Sequence, residues 1–181
     1  RRVMAGLSTV FASVRETGSI GAFDFFLLSD TTDPDTWVEE EEAWRRFCEE
    51  ENASGKVFYR RRKSNVKRKS GNVADFCRRC GKSYRYMIVF DADSIMTGRT
   101  MVRMVQTMEA RPDVGILQTP PAGVNRESLI ARVQQFANHA YGPLFAAGLH
   151  FWQLGDAQYW GHNAIIRTEP FISHCQLPRL P

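Results

Sequence analysis

The stretch Tyr86-Met-Ile-Val-Phe-Asp91-Ala-Asp93 decides the fold. An uninterrupted run of apolar residues that ends in an acidic turn predicts a buried strand in the middle of a sheet. Apolar residues then recur at helical spacing from Met101 to Met108, which predicts a helix that stops before Pro112. A strand, a turn and a helix in this order form the repeating unit of α/β proteins.

The same unit continues on both sides of this stretch. Residues 23–29, 56–59, 114–118 and 163–167 are predicted to be short strands, and the sequence between most of them has helical periodicity. Asn72 is expected to cap the helix that precedes residue 86. This alternation predicts an α/β fold with a mostly parallel sheet, right-handed crossovers and helices on both faces. At 181 residues, the chain fits a single domain.

Charge is strongly segregated along the chain. Residues 33–51 carry nine acidic side chains, whereas residues 56–69 carry eight basic and no acidic ones. A basic loop of this kind can coat nucleic acid, form a solvated surface or clamp a small polyanionic ligand. Charge alone leaves these three interpretations open.

The apolar segments set further limits. All uninterrupted apolar runs are far shorter than the roughly 20 residues that a membrane-spanning helix needs. A long amphipathic stretch follows residue 121 and carries Leu129, Val133, Phe136, Ala140 and Leu144 on one side. We interpret it as a helix that faces the core; a surface that packs on a membrane or a partner is the alternative. The residues at both termini lead us to expect part of a longer protein, incomplete at both ends.

Polar side chains follow the predicted strands where a ligand is expected. Asp91 and Asp93 lie two residues apart at a strand end, so both carboxylates can reach one spot beyond the sheet. Hard oxygen ligands suit Mg²⁺ or Mn²⁺, usually together with phosphate oxygens, although such a turn can also serve only as a solvated helix cap. Asp30 ends an earlier strand and is expected at the same edge. Lys69-Ser-Gly-Asn72 offers a cation and a helix N-terminus that favours phosphate.

Five motifs occur in the order found in family 2 glycosyltransferases, and the chain resembles that family over nearly its whole length. They are Phe26-Leu-Leu-Ser-Asp30, the segment from Arg61-Arg62-Lys63 to Lys69-Ser-Gly-Asn72-Val-Ala-Asp75, Met87-Ile-Val-Phe-Asp91-Ala-Asp93, Gln118-Thr-Pro-Pro121 and Tyr159-Trp-Gly-His-Asn163-Ala-Ile-Ile-Arg167. The resemblance implies a GT-A type, Rossmann-like fold. It also implies that residues 1–121 bind the nucleotide sugar and that residues 122–181 begin the acceptor side of one catalytic domain.

The resemblance also implies roles for individual residues. Asp30 would contact the uracil or ribose of UDP-glucose, and Lys69 and Asn72 would lie near the nucleotide. Asp91 and Asp93 would hold Mg²⁺ or Mn²⁺ on the diphosphate. The acceptor-side residues would be Gly161, His162 and Asn163, although His162 can equally be a hydrogen-bonded structural histidine. The catalytic base is expected after Pro181, and the first strand of the nucleotide fold before Arg1.

The function implied by the resemblance is inverting, metal-dependent transfer of glucose from UDP-glucose to a growing β-glucan. The 118–121 and 161–163 segments favour enzymes that make osmoregulated periplasmic glucans over cellulose or chitin synthases, which stay the alternative. Such enzymes work at the cytoplasmic face of the bacterial inner membrane and are anchored by transmembrane helices, here expected outside the chain. A non-catalytic module that binds nucleic acid through the 56–69 loop is the alternative of a different class, and nucleic acid is not the partner we expect.

Overall fold

A computed structural model describes residues 2–120, 122–123, 127–154, 156 and 158–175. The helices are α1 (Arg2–Glu16), α2 (Pro34–Glu50), α3 (Arg68–Arg79), α4 (Gly98–Ala110), α5 (Leu129–Gln153) and α6 (Thr168–His174). The strands are β1 (Phe25–Ser29), β2 (Val57–Arg61), β3 (Tyr86–Val89), β4 (Ile116–Gln118) and β5 (Ala164–Arg167). Short 3₁₀ turns, Ile20–Ala22 and Gly81–Ser83, precede β1 and β3. The α/β class is therefore confirmed.

The strands pair as two small sheets. β1 and β2 are parallel, whereas β5 lies between β3 and β4 and is antiparallel to both. The strands were predicted to form one mostly parallel sheet. In the structure they form two sheets, and the last strand, β5, runs antiparallel to its neighbours β3 and β4. A four-residue apolar strand has the same sequence pattern in either direction, so periodicity carried no signal for its orientation.

Two layers of helices cover the strands. On one face, α3 and α6 pack against Phe26, Met87 and Ile166. On the other face, α1 and α4 pack against Phe25, Ile88 and Ile165. Neighbouring residues of a strand thus enter opposite cores, as the alternation of side chains requires. Each core contains side chains from both sheets, so β1 and β3 belong to one layer of a three-layer fold.

The helix α3 begins earlier than predicted. Lys67, not Asn72, is the N-cap residue, and Asn72 lies inside the helix with a buried side chain. The backbone at Lys67 and Arg68 is left-handed, with φ angles of 60° and 42°. Propensity disfavours this conformation for a basic residue, which is why the basic segment was predicted to be a loop as far as residue 71. The correction moves Lys69 into the first helical turn.

The helix α5 is the clearest disagreement with the sequence-based interpretation. None of its 25 residues is buried, and its apolar side includes Leu129, Val133, Phe136 and Leu144, which are 60 to 79% exposed. The interpretation as a core-facing helix is wrong, because within the part of the chain described here its apolar face meets no core. In the described residues no helix combines the length and the apolar character that a membrane crossing requires.

Candidate nucleotide-binding site

The candidate site lies where several strands end at one edge of the strand layer. Parallel pairing places Ser29 beside Arg61, so the next residues, Asp30 and Arg62, leave the sheet side by side. The strand β3 ends at Val89, and Ser94 donates its N–H to the Asp91 carbonyl at 3.0 Å. Asp91, Ala92, Asp93 and Ser94 therefore form a tight turn directly beyond the strand. Side chains of α3 contact both strand ends, Asp30 through Asn72 and Asp91 through Lys69.

Asp30 is held from two sides. The Arg62 guanidinium donates to both of its carboxylate oxygens at 2.7 Å, and Asn72 Nδ2 donates to Oδ1 at 2.8 Å. Asn72 Nδ2 also donates to the Leu28 carbonyl at 3.1 Å, which anchors α3 to β1. The Asp30 side chain stays 25% exposed. It is thus an oriented carboxylate that a ligand hydroxyl or N–H can still reach.

A second hydrogen-bond network, centred on Arg60, fixes the position of Asn72. Arg60 donates to the Asn72 side-chain oxygen and to the Asp75 carboxylate, and also to the Asn72 carbonyl at 3.1 Å. Burial acts to raise the pKa of Asp75, but hydrogen bonds from Arg78 and Arg79 and the charge of Arg60 outweigh it, so that pKa lies below its usual value. Asp75 therefore stays ionised and forms ion pairs with the guanidinium groups of Arg60, Arg78 and Arg79.

Lys69 and Asp91 form an ion pair that brings α3 to the end of β3. Their side chains are 50% and 36% exposed, so the pair faces solvent on one side. Asp93 is exposed in the same turn. Through α3 the structure links four of the residues predicted from sequence: Asn72 contacts Asp30, and Lys69 contacts Asp91.

Gly161, His162 and Asn163, the residues predicted to lie on the acceptor side, immediately precede β5. Asn163 is buried and donates its N–H to the Val89 carbonyl at 2.7 Å, while its own carbonyl accepts from the Thr119 N–H at 3.0 Å. It therefore ties the ends of β3 and β4 together. Gly161 has a φ of 93°, which side chains rarely adopt, and an added Cβ there would lie 3.9 Å from Lys69 Nζ.

His162 faces the same acidic turn. Its Nε2 lies 3.9 Å from Asp91 Oδ2, and the ring is 25% exposed. Its Nδ1 is buried without a hydrogen-bond partner among the described residues. The structure therefore gives His162 a position beside Asp91 and does not show the fully hydrogen-bonded histidine of the structural alternative.

Arg62 and Tyr159 were not predicted to be site residues. Burial, together with the charge of Asp91, raises the pKa of Tyr159, which packs in the core beneath the site. Parallel pairing of β1 and β2 in register places Arg62 beside Asp30, and the sequence alone does not show which strands pair or in what register. Arg62 and Tyr159 both belong to motifs of the family resemblance, but the resemblance gave neither an individual role, and the position of Tyr159 depends on the reversed strand.

The carboxylates can contribute to a divalent metal site but do not complete one. No group of three or more His, Cys, Asp or Glu side chains able to hold an ion occurs among the described residues. Two carboxylates in one turn suit Mg²⁺ or Mn²⁺, which often take their remaining ligands from phosphate oxygens and water. The donor set therefore fits a metal that arrives with a phosphorylated ligand better than a permanent structural ion.

The chain is similar in sequence to known proteins that share one name. Glucans biosynthesis glucosyltransferase H from Pseudomonas paraeruginosa (strain DSM 24068 / PA7) is 58% identical over 180 residues, which are 99% of this chain and 21% of that protein. The protein of the same name from Pseudomonas syringae pv. syringae is also 58% identical over 180 residues, with 99% and 22% coverage. The chain thus spans about a fifth of the length of these relatives. No solved structure shows a significant match. The family model described as glycosyl transferase family 2 matches residues 5–174, and the chain therefore belongs to that family.

Proposed function

We propose that this chain is the donor-binding part of an inverting glycosyltransferase that moves glucose from UDP-glucose to a growing β-glucan. One observation carries the proposal: α3 contacts an oriented carboxylate through Asn72 and an acidic turn through Lys69. A nucleoside diphosphate has a neutral hydrogen-bonding end and an anionic end, so it matches a site with these two parts. The names of the relatives support glucose as the transferred sugar and a glucan as the product.

Each side chain has a distinct task in this proposal. Asp30 accepts hydrogen bonds from the uracil or ribose, and Asn72 and Arg62 keep its oxygens oriented. Lys69 is close enough to the acidic turn to exchange its contact with Asp91 for one with a phosphate oxygen. The helix N-terminus at Lys67 adds favourable partial positive charge on the same side.

Asp91 and Asp93 are the residues that would hold Mg²⁺ or Mn²⁺. A bound ion of this kind offsets the negative charge that develops on a departing diphosphate. The protein contributes the two carboxylates, while Lys69 balances the charge of Asp91 until the donor binds. Gly161, His162 and Asn163 form the wall on the acceptor side of the same turn.

Catalysis also needs a base that takes the proton from the acceptor hydroxyl. In this proposal the base comes from polypeptide beyond Pro181. Residues 1–121 bind the nucleotide sugar, and residues 122–181 begin the acceptor side. The parent enzyme acts at the cytoplasmic face of the bacterial inner membrane, where transmembrane helices elsewhere in its sequence anchor it. The identity of the relatives supports a periplasmic-glucan enzyme over a cellulose or chitin synthase.

A nucleic-acid-binding module is a weaker candidate, because the basic segment uses most of its cations internally. Five of its eight basic residues contact the protein itself: Lys56 bonds Asp24, Arg60 bonds Asp75, Arg61 lies over Trp37, Arg62 bonds Asp30 and Lys69 bonds Asp91. A surface that coats phosphates needs free cations along its length. The internal contacts therefore favour a clamp for a small ligand.

Titration of the chain with UDP and UDP-glucose, with and without Mn²⁺, tests the proposal. We expect binding that Mn²⁺ strengthens by at least about tenfold, or about 1.4 kcal/mol, and that Asp91→Asn or Asp93→Asn removes most of the gain. Asp113→Asn is the matched control, because Asp113 is an exposed carboxylate whose ion-pair partner is Arg111 and not Lys69. Binding that is independent of metal, or site variants that bind like wild type, would contradict the assignment. Salt-sensitive binding of single-stranded DNA without a response to UDP would favour the nucleic-acid alternative.

A further inference from the structure

Arg62 contacts both the Asp30 carboxylate and the loop that leads into α3. Its Nε and Nη2 donate to the two Asp30 oxygens, each at 2.7 Å. Its Nη1 donates to the Val66 carbonyl at 3.2 Å, and Nη2 also donates to the Arg68 carbonyl at 3.0 Å. The side chain is only 11% exposed. One guanidinium group thus joins the end of β1 to the loop that leads into Lys69.

The loop is shaped around this guanidinium group. Lys67 and Arg68 both have left-handed backbone angles, which are unfavourable for residues with side chains. Such a conformation persists only where surrounding contacts hold it, and the two carbonyl contacts from Arg62 flank these residues.

Gly71 allows the first turn of α3 to pack closely against this loop. A Cβ at this position would overlap the Val66 carbonyl oxygen and lie 2.9 Å from Arg62 Nη1. Only a glycine therefore lets α3 lie against the loop while the loop lies against Arg62. The requirement comes from close packing and not from backbone conformation, because Gly71 lies inside α3 and does not have a left-handed φ.

We propose that Arg62 is a positioning residue that locks Asp30 and the 66–69 backbone into one rigid unit, so that Asp30 and Lys69 engage opposite ends of the same nucleotide. This inference rests on the proposed function. The planar fork of arginine satisfies a carboxylate and two carbonyls at once, whereas the ammonium group of lysine cannot span all of them. Charge alone at position 62 is therefore insufficient.

The affinity ratio between UDP and uridine separates this role from simple support of Asp30. The ratio measures how much the diphosphate adds to the affinity. Arg62 donates its hydrogen bonds to Asp30 and the loop, so in this proposal it affects the diphosphate indirectly, through the position of Lys69. In Arg62→Lys we expect weaker binding of uridine and, in addition, at least a threefold lower UDP-to-uridine ratio, measured by ligand-detected NMR with Mg²⁺ present. Arg61→Lys is the matched control, because Arg61 lies over the Trp37 ring and not against Asp30. We expect it to leave both affinities unchanged.

Gly71→Ala provides an independent variant that removes no polar group from the site. It should disturb the closure of the loop, lowering the UDP-to-uridine ratio at least threefold while uridine affinity changes less than twofold. Near-UV circular dichroism checks that both variants keep the native fold, and Gly71→Ala decides the matter if Arg62→Lys does not fold. A ratio unchanged from wild type in folded variants would overturn the inference alone. A wild-type chain that binds neither uridine nor UDP would overturn the proposed function and this inference together.

Discussion

The Lys69 ammonium group pairs with the Asp91 carboxylate, 22 residues away in sequence, and thereby holds the first turn of α3 against the end of β3. A cation already balances the residue that the proposed function assigns to the metal. The pair is about half-exposed on the lysine side, so water screens it and its contribution to stability is small. It can therefore open when a ligand with both negative charge and a metal enters.

Removal of this ammonium group should separate metal binding from nucleotide binding. Lys69→Met frees Asp91, so we expect Mn²⁺ alone to bind a few-fold more tightly, as followed by electron paramagnetic resonance. UDP should bind about tenfold more weakly in the presence of Mn²⁺, because a phosphate contact worth about 1.4 kcal/mol is lost. Lys63→Met removes an equal charge from the same exposed segment and serves as the control. Equal effects from both substitutions would point to long-range electrostatics instead of a specific contact.

Asp75 should make stability depend on pH in acid. Its folded-state pKa lies below the ordinary value of 3.8, so its contribution is fully present above that value and is lost as the pH falls through the lowered pKa. Asp75→Asn leaves the Arg60 guanidinium, only 17% exposed, without its charged partner, and should cost about 3 kcal/mol at pH 7. Urea unfolding at pH 7 and pH 3 measures both effects. The variant should lose less stability than wild type between the two pH values; an identical loss would exclude Asp75 as the source.

Strand and helix positions could be predicted because their apolar spacing is set by burial. Asp30 and Asp91 were expected at one edge from where their strands end; in the structure Asp30 contacts Asn72 and Asp91 contacts Lys69, both on α3, while the roles of these residues stay predictions. The contacts of Arg62 required knowledge of which strands pair and in what register. The antiparallel β5 and the left-handed residues before α3 depend on tertiary contacts that leave no periodic trace in sequence.

The exposure of α5 could not be predicted from sequence either. Periodicity shows that a helix has an apolar side but does not show what covers it. Within the described residues its apolar side chains contribute little burial, so we expect Phe145→Ser, at a side chain 69% exposed, to change the free energy of unfolding by less than about 0.5 kcal/mol. Ile165→Ala, at a fully buried position in β5, should cost about 3 kcal/mol. Denaturant unfolding of both variants tests this contrast, and a large loss in Phe145→Ser would show that α5 packs on the domain in solution.

Asn163 offers a way to separate structural from acceptor-side roles. Its backbone is left-handed with a φ of 52°, and its N–H and carbonyl join β3 to β4. Its side-chain oxygen is buried without a hydrogen-bond partner among the described residues, so the fold gains little from that atom. Asn163→Gly should therefore keep near wild-type stability, whereas Asn163→Ala should lose about 1 kcal/mol, because alanine tolerates this backbone poorly.

If the amide serves the acceptor sugar, Asn163→Gly placed in a full-length relative should retain UDP binding and lose glucan synthesis. Retained synthesis would assign Asn163 a purely structural role, and lost UDP binding would show that the substitution disturbs the donor site instead.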